Sequence, residues 1–557
     1  MPTPSTPPVR KRPSAIAIAA AALSGIFLFL AFPPIGQSDA AWAALVPLAC
    51  ALRRATPRQG ALLGFIAGFV FWAGSLSWLV SLGTNGGPLA LVVLGGLALA
   101  AYCALYAAWF GALDAWAWGK LGLGRNAWTR GIGALLVEPL LWTGCEFARG
   151  WFLTGFPWNP LGVSQYENLP LAQAASIGGV WLVTFLLAMM NGAGAALLLR
   201  AIDAFRAMAR REPGAKMRLR AVELLIGAVV ICAFCVWGAK RIRAWARFEQ
   251  DTEPVTVALI QPYTPSVFEI SEEEYDASVT EALNYTACAA AWNPDLVVWP
   301  ESALPGTLPY DPVAIMAVSN LAATAESQTL VGMIEFQPGP NWEVMDGAKY
   351  FNTVYLVDSN GVARDYYRKQ HLVPFGEYIP FENIVPPLKK LLPVGDSCTP
   401  GEECAIMKLP RRDGSGTLEI SPLICFEDIM PYLARRAARG GARLLVNQSN
   451  DAWFDGSCEP RQHLAQSVFR AIENGVPLVR SANGGVSGMV DAVGRMALLE
   501  DDGKDSGFSG FRVVRAFPPA AGRKPTVYTR FGDWTCGLPA LCVVIAATLG
   551  LSIRRKR

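Results

Sequence analysis

The chain has 557 residues, 52% of them hydrophobic and only 17% charged, a balance too apolar for a soluble protein of that length. A net charge of +3, with no Lys/Arg run interleaved with aromatics, sets nucleic-acid binding aside. Seven of the 45 acidic residues precede residue 221 and the other 38 follow it, so a membrane part precedes a water-soluble part.

Crossing ~30 Å of hydrocarbon takes roughly 20 apolar residues as a helix. Segment 14–31 follows Arg10, Lys11 and Arg12 as a signal peptide would, but more apolar runs come at once, which makes it a retained first helix. Run 40–52 is the second. Residues 60–113 hold no charge, and the breaker cluster from Gly83 to Pro88 divides them into two spans. Segments 131–149, 174–199 and 221–239 make seven, and 534–553 is the eighth. With odd-numbered crossings running outward, Arg53, Arg54 and Arg58, then Lys120, Arg125 and Arg130, then the basic residues of 200–220 all lie inside, as does the tail Arg554 to Arg557. Lys240, Arg241, Arg243 and Arg247 would lie outside. The expectation is a multi-pass protein of the inner (cytoplasmic) membrane with both termini cytoplasmic. Its domains are a bundle over 1–245, a periplasmic domain over 246–533, and a last helix with basic tail over 534–557.

In the polar region, strands are expected over 256–260, 296–299, 330–334, 353–357, 418–425, 444–447 and 478–480. Helical periods fall over 271–291, 311–327, 430–440 and 462–474. Asn360-Gly361 closes a hairpin, and Ser271 with Glu273 and Glu274 starts a helix. The fold class is α/β: a helical bundle of about eight spans plus a mixed sandwich.

Three of these runs deliver reactive groups. The first ends in Trp299-Pro300-Glu301, a carboxylate that alone would be a solvated side chain. The second, 367–377, holds Lys369 and His371 before a Pro374-Phe375-Gly376 turn and alone would be a surface loop. The third closes on Cys425, with Phe426 and Glu427 behind it; a Cys ending an apolar strand is otherwise an inert core residue. A thiol of ordinary pKa ~8.5 attacks carbonyls only as thiolate, and Glu301 and Lys369 can supply the base and the positive charge that this needs.

In the order Glu, Lys, Cys, these segments resemble the nitrilase (carbon-nitrogen hydrolase) superfamily. With seven spans before the domain and one after, nearly the whole chain resembles the bacterial apolipoprotein N-acyltransferase family. The likeness includes Glu146 and Arg149, Thr154-Gly155-Phe156-Pro157-Trp158, residues 372–378 and Asn450-Asp451-Ala452-Trp453-Phe454. It implies an α-β-β-α sandwich and a ping-pong acyl transfer. Cys425 would be the nucleophile on the sn-1 ester of a phospholipid, Glu301 the general base and Lys369 the oxyanion stabiliser. Glu377 would hold Lys369, and Glu427 would shape the nucleophile loop. The acyl group would pass from a Cys thioester to the N-terminal amine of an S-diacylglyceryl-cysteine in a lipoprotein precursor. Substrate contacts are expected at Glu146, Arg149, Phe426 and Trp453. The implied partners are the phospholipid donor, the diacylglyceryl lipoprotein acceptor and the membrane. The family's aromatic after the first strand has its nearest counterpart in Phe268, and Arg480 to Gly485 is a looser match.

No cofactor is expected, since no Gly-rich phosphate loop occurs, and two His without clustered Cys or carboxylates make no metal site. A Cys-His pair through His371 or His463 is the competing mechanism. A membrane-tethered amidase or nitrilase that releases its acyl group to water is the alternative function. A transporter or receptor would spread charges through the bundle, which 60–113 and 174–199 do not. Cys398 and Cys404 are candidates for a disulfide or for two free thiols. The apolar stretch 379–395, carrying Lys389 and Lys390, is a candidate membrane-facing lid over the site, or else a core loop.

Overall fold

The computed structural model describes residues 12–212, 220–265, 271–304, 307–339, 347–380 and 397–553. Four of its helices are long and apolar enough to cross a membrane: Leu89–Lys120, Ala175–Ala209, Val222–Gln250 and Val527–Ile553. A fifth crossing is counted if the pair Pro57–Ser75 and Ser77–Thr84, bent by 47°, is one span. Helices Ala15–Leu30 and Ser38–Leu52 are apolar but shorter. The segment expected over 131–149 is helix Ala127–Ile132, a π turn at Gly133–Val137 and helix Glu138–Arg149, which is buried in protein at every residue but Leu140. Its charged groups are tolerated because they are enclosed: Glu138 receives Arg53 Nη2 at 2.6 Å, and Arg53 stacks over Trp118.

Small residues set how closely the helices pack. Helix Pro57–Ser75 lies against Leu89–Lys120 through Gly60, Gly64 and Gly68, where a Cβ on Gly64 would come within 2.1 Å of the Ala107 carbonyl oxygen. Helices that share no hydrophobic drive inside lipid gain from such backbone approach.

The polar region forms two sheets. One has the order β13-β1-β2-β4-β5-β6, with β3 beside β4, and the other β12-β11-β10-β9-β8-β7. In chain order the strands are β1 Val255–Gln261, β2 Leu296–Val298, β3 Thr307–Leu308, β4 Gln328–Gln337, β5 Lys349–Val357, β6 Ala363–Arg368 and β7 Met407–Pro410. They continue as β8 Thr417–Ile424, β9 Leu444–Asn450, β10 Leu478–Asn483, β11 Gly488–Val490, β12 Met496–Leu498 and β13 Gly510–Ala516. β1, β2 and β4 are parallel, as are β8, β9 and β10. Strand alternation sends Val255, Val257 and Leu259 between the sheets, where they meet Ile420, Ile424 and Val446. Ala258 and Ile260 point the other way, to helices Glu272–Ala290 and Pro312–Ala325. The Ser271 capping box and the hairpin at Asn360-Gly361 are both present.

The second sheet's outer helices, Pro431–Arg439 and Glu459–Asn474, share one continuous apolar core with the helical bundle. Gln462 fastens the junction: it accepts from Trp158 Nε1 at 2.7 Å and Asn159 Nδ2 at 2.9 Å and donates to the Pro33 carbonyl at 2.7 Å. Helix Val222–Gln250 runs unbroken past residue 239, so Lys240, Arg241, Arg243 and Arg247 belong to a helical stalk whose Trp245 packs on Ala492 and Val493.

The expected lid, 379–395, lies outside the described residues from 381 onward, and Phe268 lies outside them as well. Cys398 and Cys404 are free thiols, which corrects the disulfide reading. The Cys398 backbone pairs with Tyr350 and donates to the Glu377 carbonyl at 2.8 Å, whereas Cys404 Sγ lies 3.9 Å from Ser421 Oγ on β8.

Candidate active site

Parallel strands put their carboxyl ends on one edge, and that edge collects the reactive groups. Glu301 follows β2, Cys425 follows β8 and Asn450 closes β9. Lys369 follows β6, which two antiparallel steps return to the direction of β4. The tight turn that carries Glu301 lies directly on β4. A Cβ on Gly332 would come within 2.7 Å of the Pro300 oxygen and 2.8 Å of the Ser302 nitrogen, so only Gly fits there.

Glu301 and Lys369 are buried, at 8% and 1% exposure, and joined. Lys369 Nζ donates to Glu301 Oε1 at 3.1 Å and to Glu377 Oε1 at 3.0 Å. Asn352 on β5 donates to the same two oxygens, at 2.7 and 2.9 Å, and the Asn450 amide donates to Glu301 Oε2 at 3.1 Å. Burial alone would strip Lys369 of its proton, but Glu301 and Glu377 outweigh it and hold the ammonium well above the usual lysine range. One cation thus faces two carboxylates. Removing it would leave both carboxylates uncompensated, at a cost of about 3–5 kcal/mol.

Cys425 sits at φ +50°, a left-handed conformation costing of order 1–3 kcal/mol, on the turn between β8 and a short 3₁₀ segment, Cys425–Ile429. Asn447 pins that turn by donating to the Cys425 carbonyl at 3.1 Å. Burial and then the Glu301 carboxylate push the thiol well above its ordinary value, against the opposing pull of Lys369. At neutral pH the resting group is therefore a thiol, which becomes a good nucleophile only once a base takes its proton.

Glu427, fully buried, ties the Cys425 turn to the loop after β6. It accepts from the Ile424 amide at 2.8 Å, from Gln370 N at 2.7 Å and from His371 N at 3.1 Å, and each of its oxygens lies 2.9 Å from the Tyr367 hydroxyl. Burial raises its pKa to about 7, against the pull of those amides.

Neither His contacts the thiol. His371 stacks on Phe426 with its Nδ1 3.1 Å from the Tyr432 hydroxyl, and burial followed by Lys369 pushes it down to about 4. His463 Nε2 lies 2.8 Å from Asp428 Oδ1 and its Nδ1 2.8 Å from Arg480 Nη2. Arg480 also reaches Asp428 Oδ2 and Asp451 Oδ2, both at 2.7 Å. Burial opposes ionisation of Asp451, yet Arg480 holds it well below the usual carboxylate range. Glu459, by contrast, is pushed up to about 8 by burial and by Asp451. Ligand atoms of Asp451, Glu459 and His463 lie within 4.8 Å of one another, as a metal would need, but the Arg480 guanidinium supplies the positive charge there.

The residues named for substrate contact divide. Phe426 stacks on Phe156, Trp158 and His371, between the bundle and the nucleophile. Trp453 lies in the 3₁₀ turn Ala452–Phe454, whose carbonyl at Trp453 receives Asn85 Nδ2 at 2.8 Å from the loop that breaks the first long apolar run. Glu146 and Arg149 are enclosed. Both Glu146 oxygens accept from Leu161 N at 3.1 Å, and Arg149 donates to the carbonyls of Phe156 and Trp158. They brace the loop on which Phe426 rests.

Sequence reasoning missed Asn352 and Asn447, and it named Asn450 and Arg480 only within motifs, without a role for either. A polar side chain inside an otherwise apolar strand, as in Phe351-Asn352-Thr353 or Val479-Arg480-Ser481, was the available signal.

Two family comparisons divide the chain between them. The Apolipoprotein N-acyltransferase N-terminal domain matches residues 24–193, and Carbon-nitrogen hydrolase matches residues 256–508. The apolipoprotein N-acyltransferase of Geobacter metallireducens is 37% identical over 545 residues, covering 96% of this chain and 95% of that protein. The protein of that name from Bradyrhizobium diazoefficiens is 34% identical over 78% of this chain and 76% of its own, and that from Azotobacter vinelandii 34% over 85% and 84%.

Proposed function

The chain belongs to the apolipoprotein N-acyltransferase family and is a multi-pass membrane enzyme; from that premise we propose that it moves a fatty acyl group from a phospholipid to the N-terminal amine of an S-diacylglyceryl-cysteine, through a thioester on Cys425. The reading rests above all on the buried Glu301–Lys369–Glu377 cluster set against a strained Cys425 whose thiol is held protonated.

Glu301 takes the thiol proton as the sulfur attacks the donor's sn-1 ester carbonyl. The oxyanion is met by Lys369 and by the backbone N–H after Cys425. The tetrahedral intermediate collapses, the proton on Glu301 passes to the departing lysophospholipid oxygen, and the acyl thioester remains. The acceptor amine then attacks the thioester and Glu301 takes its proton. The C–S bond breaks, and that proton returns to sulfur. Glu377 and Asn352 keep Lys369 and Glu301 in register, and Glu427 holds the nucleophile turn. Phe426 and Trp453 contact the lipids, over a floor braced by Glu146 and Arg149.

In this reading the chain crosses the inner membrane eight times, with both termini cytoplasmic and residues 246–533 forming the periplasmic catalytic domain between a bundle over 1–245 and a last helix over 534–557. Incubation with a phospholipid deuterated in its sn-1 chain and a diacylglyceryl lipopeptide tests the function. The expected product carries the label as an amide on the lipopeptide amine. Label found only as free fatty acid would make the protein a hydrolase instead.

A further inference from the structure

Away from Cys425, a cleft of about 590 Å³ opens where helix Pro431–Arg439 meets the start of the terminal helix Gly537–Ile553. Three arginines line it: Arg435 and Arg439 from one face of the first helix, and Arg530 from the short helix Val527–Phe531. None of the three forms an ion pair among the described residues. Arg435 is held in place by donating to the carbonyls of Tyr528 and Thr529, both at 3.1 Å, which fixes its guanidinium without neutralising it. Asp533, also in the cleft wall, is the one acid there, and it accepts from the Tyr528 hydroxyl at 3.2 Å. Like charges four residues apart repel by a few tenths of a kcal/mol on a helix. The last-turn position of Arg439 offsets that for one residue through the helix dipole, but it gives no account of Arg530, which comes from another element.

The remaining walls are those of a lipid interface. Trp534 is 75% exposed and Trp151 51% exposed, an arrangement usual at headgroup level, and Leu538 and Leu541 continue down the terminal helix to the exposed Ile545 and Leu549. Trp151 also stacks on Tyr432, which lies on the same helix as Arg435 and Arg439.

We propose that this cleft binds an anionic phospholipid, its phosphodiester between Arg435, Arg439 and Arg530 and its chains along Leu538 and Leu541. Arginine forks match phosphate oxygens in paired hydrogen bonds. Because the positive charges outnumber the single acid, a headgroup carrying its own ammonium is disfavoured. The site is separate from the Cys425 chemistry, so its failure and that of the proposed mechanism are distinguishable.

The full-length protein, stripped of lipid in detergent, is titrated by native mass spectrometry with phosphatidylglycerol, phosphatidylcholine or inorganic phosphate. Phosphatidylglycerol should bind at least ~10-fold more tightly than phosphatidylcholine, and Arg439→Ala/Arg530→Ala should remove at least ~10-fold of that affinity. Arg439→Lys/Arg530→Lys should recover part of it, while acyl loading of Cys425 remains detectable in both variants. Equal retention of phosphatidylglycerol by the alanine variant, equal binding of phosphatidylcholine, or displacement of the lipid by stoichiometric phosphate would each overturn the assignment.

Discussion

The Tyr367 hydroxyl lies 2.9 Å from each carboxylate oxygen of Glu427, so the loop leading to Lys369 and the turn bearing Cys425 are held by one buried acid. Glu427→Gln exchanges an acceptor oxygen for an amide that cannot accept from the Ile424 amide and the loop amides at once. It is expected to slow acylation of Cys425 by about 10- to 100-fold, the usual cost of a small misplacement of reacting groups. Tyr367→Phe keeps the amide contacts and should lose less. Single-turnover acylation rates for the two variants check the order.

Cys425→Ala should abolish transfer, and Glu301→Gln and Lys369→Ala should each lose at least ~10² in rate, because proton transfer and oxyanion stabilisation are separate contributions. Steady-state transfer to a lipopeptide acceptor measures all three, with thermal unfolding recorded beside it for the Lys369 variant.

Much of this arrangement is legible in the sequence. Glu301 and Cys425 each follow an apolar run that reads as a strand, and Lys369 follows the second arm of the Asn360-Gly361 hairpin. What escaped were partners supplied across the fold. Asn352 reads as one polar residue in an apolar strand, and only the pairing of β4 with β5 and β6 brings it to Glu301 and Glu377. Strands β3, β7, β11, β12 and β13 were missed, and β6 was implied only by its hairpin, because they are short or charged and gain their burial from neighbours rather than from their own pattern. Glu146 and Arg149 stand near a span end in the sequence, but their hydrogen bonds to Leu161, Phe156 and Trp158 depend on a loop folding back, which no pattern shows.

His371 gives a pH dependence with a definite sign. Its folded value of about 4 lies below the ordinary 6.5, so the unfolded chain takes up a proton that the folded chain refuses. The contribution is present above pH 6.5 and is lost as pH falls toward 4, by of order 1–3 kcal/mol. Chemical unfolding of the wild type and His371→Gln at pH 7 and pH 4.5 should show a smaller loss in the variant; equal losses would refute it.

Gln462 joins helix Glu459–Asn474 to the bundle through Trp158, Asn159 and Pro33. Gln462→Ala leaves the Trp158 indole N–H and the Pro33 carbonyl unpaired at about 1–3 kcal/mol each, while Asn159 Nδ2 keeps Ser75 Oγ at 3.0 Å. A lowered unfolding temperature for the full-length protein is expected, and an unchanged one would mean that water replaces the glutamine.

The central claim is a covalent acyl-Cys425 intermediate. The intact mass of the purified full-length protein, after incubation with phospholipid and no acceptor, tests it most directly. The account predicts a mass increase of one fatty acyl group, mapped to Cys425, removed by hydroxylamine and discharged when a diacylglyceryl lipopeptide is added. An unmodified Cys425 in protein that still transfers acyl groups to the lipopeptide would contradict it.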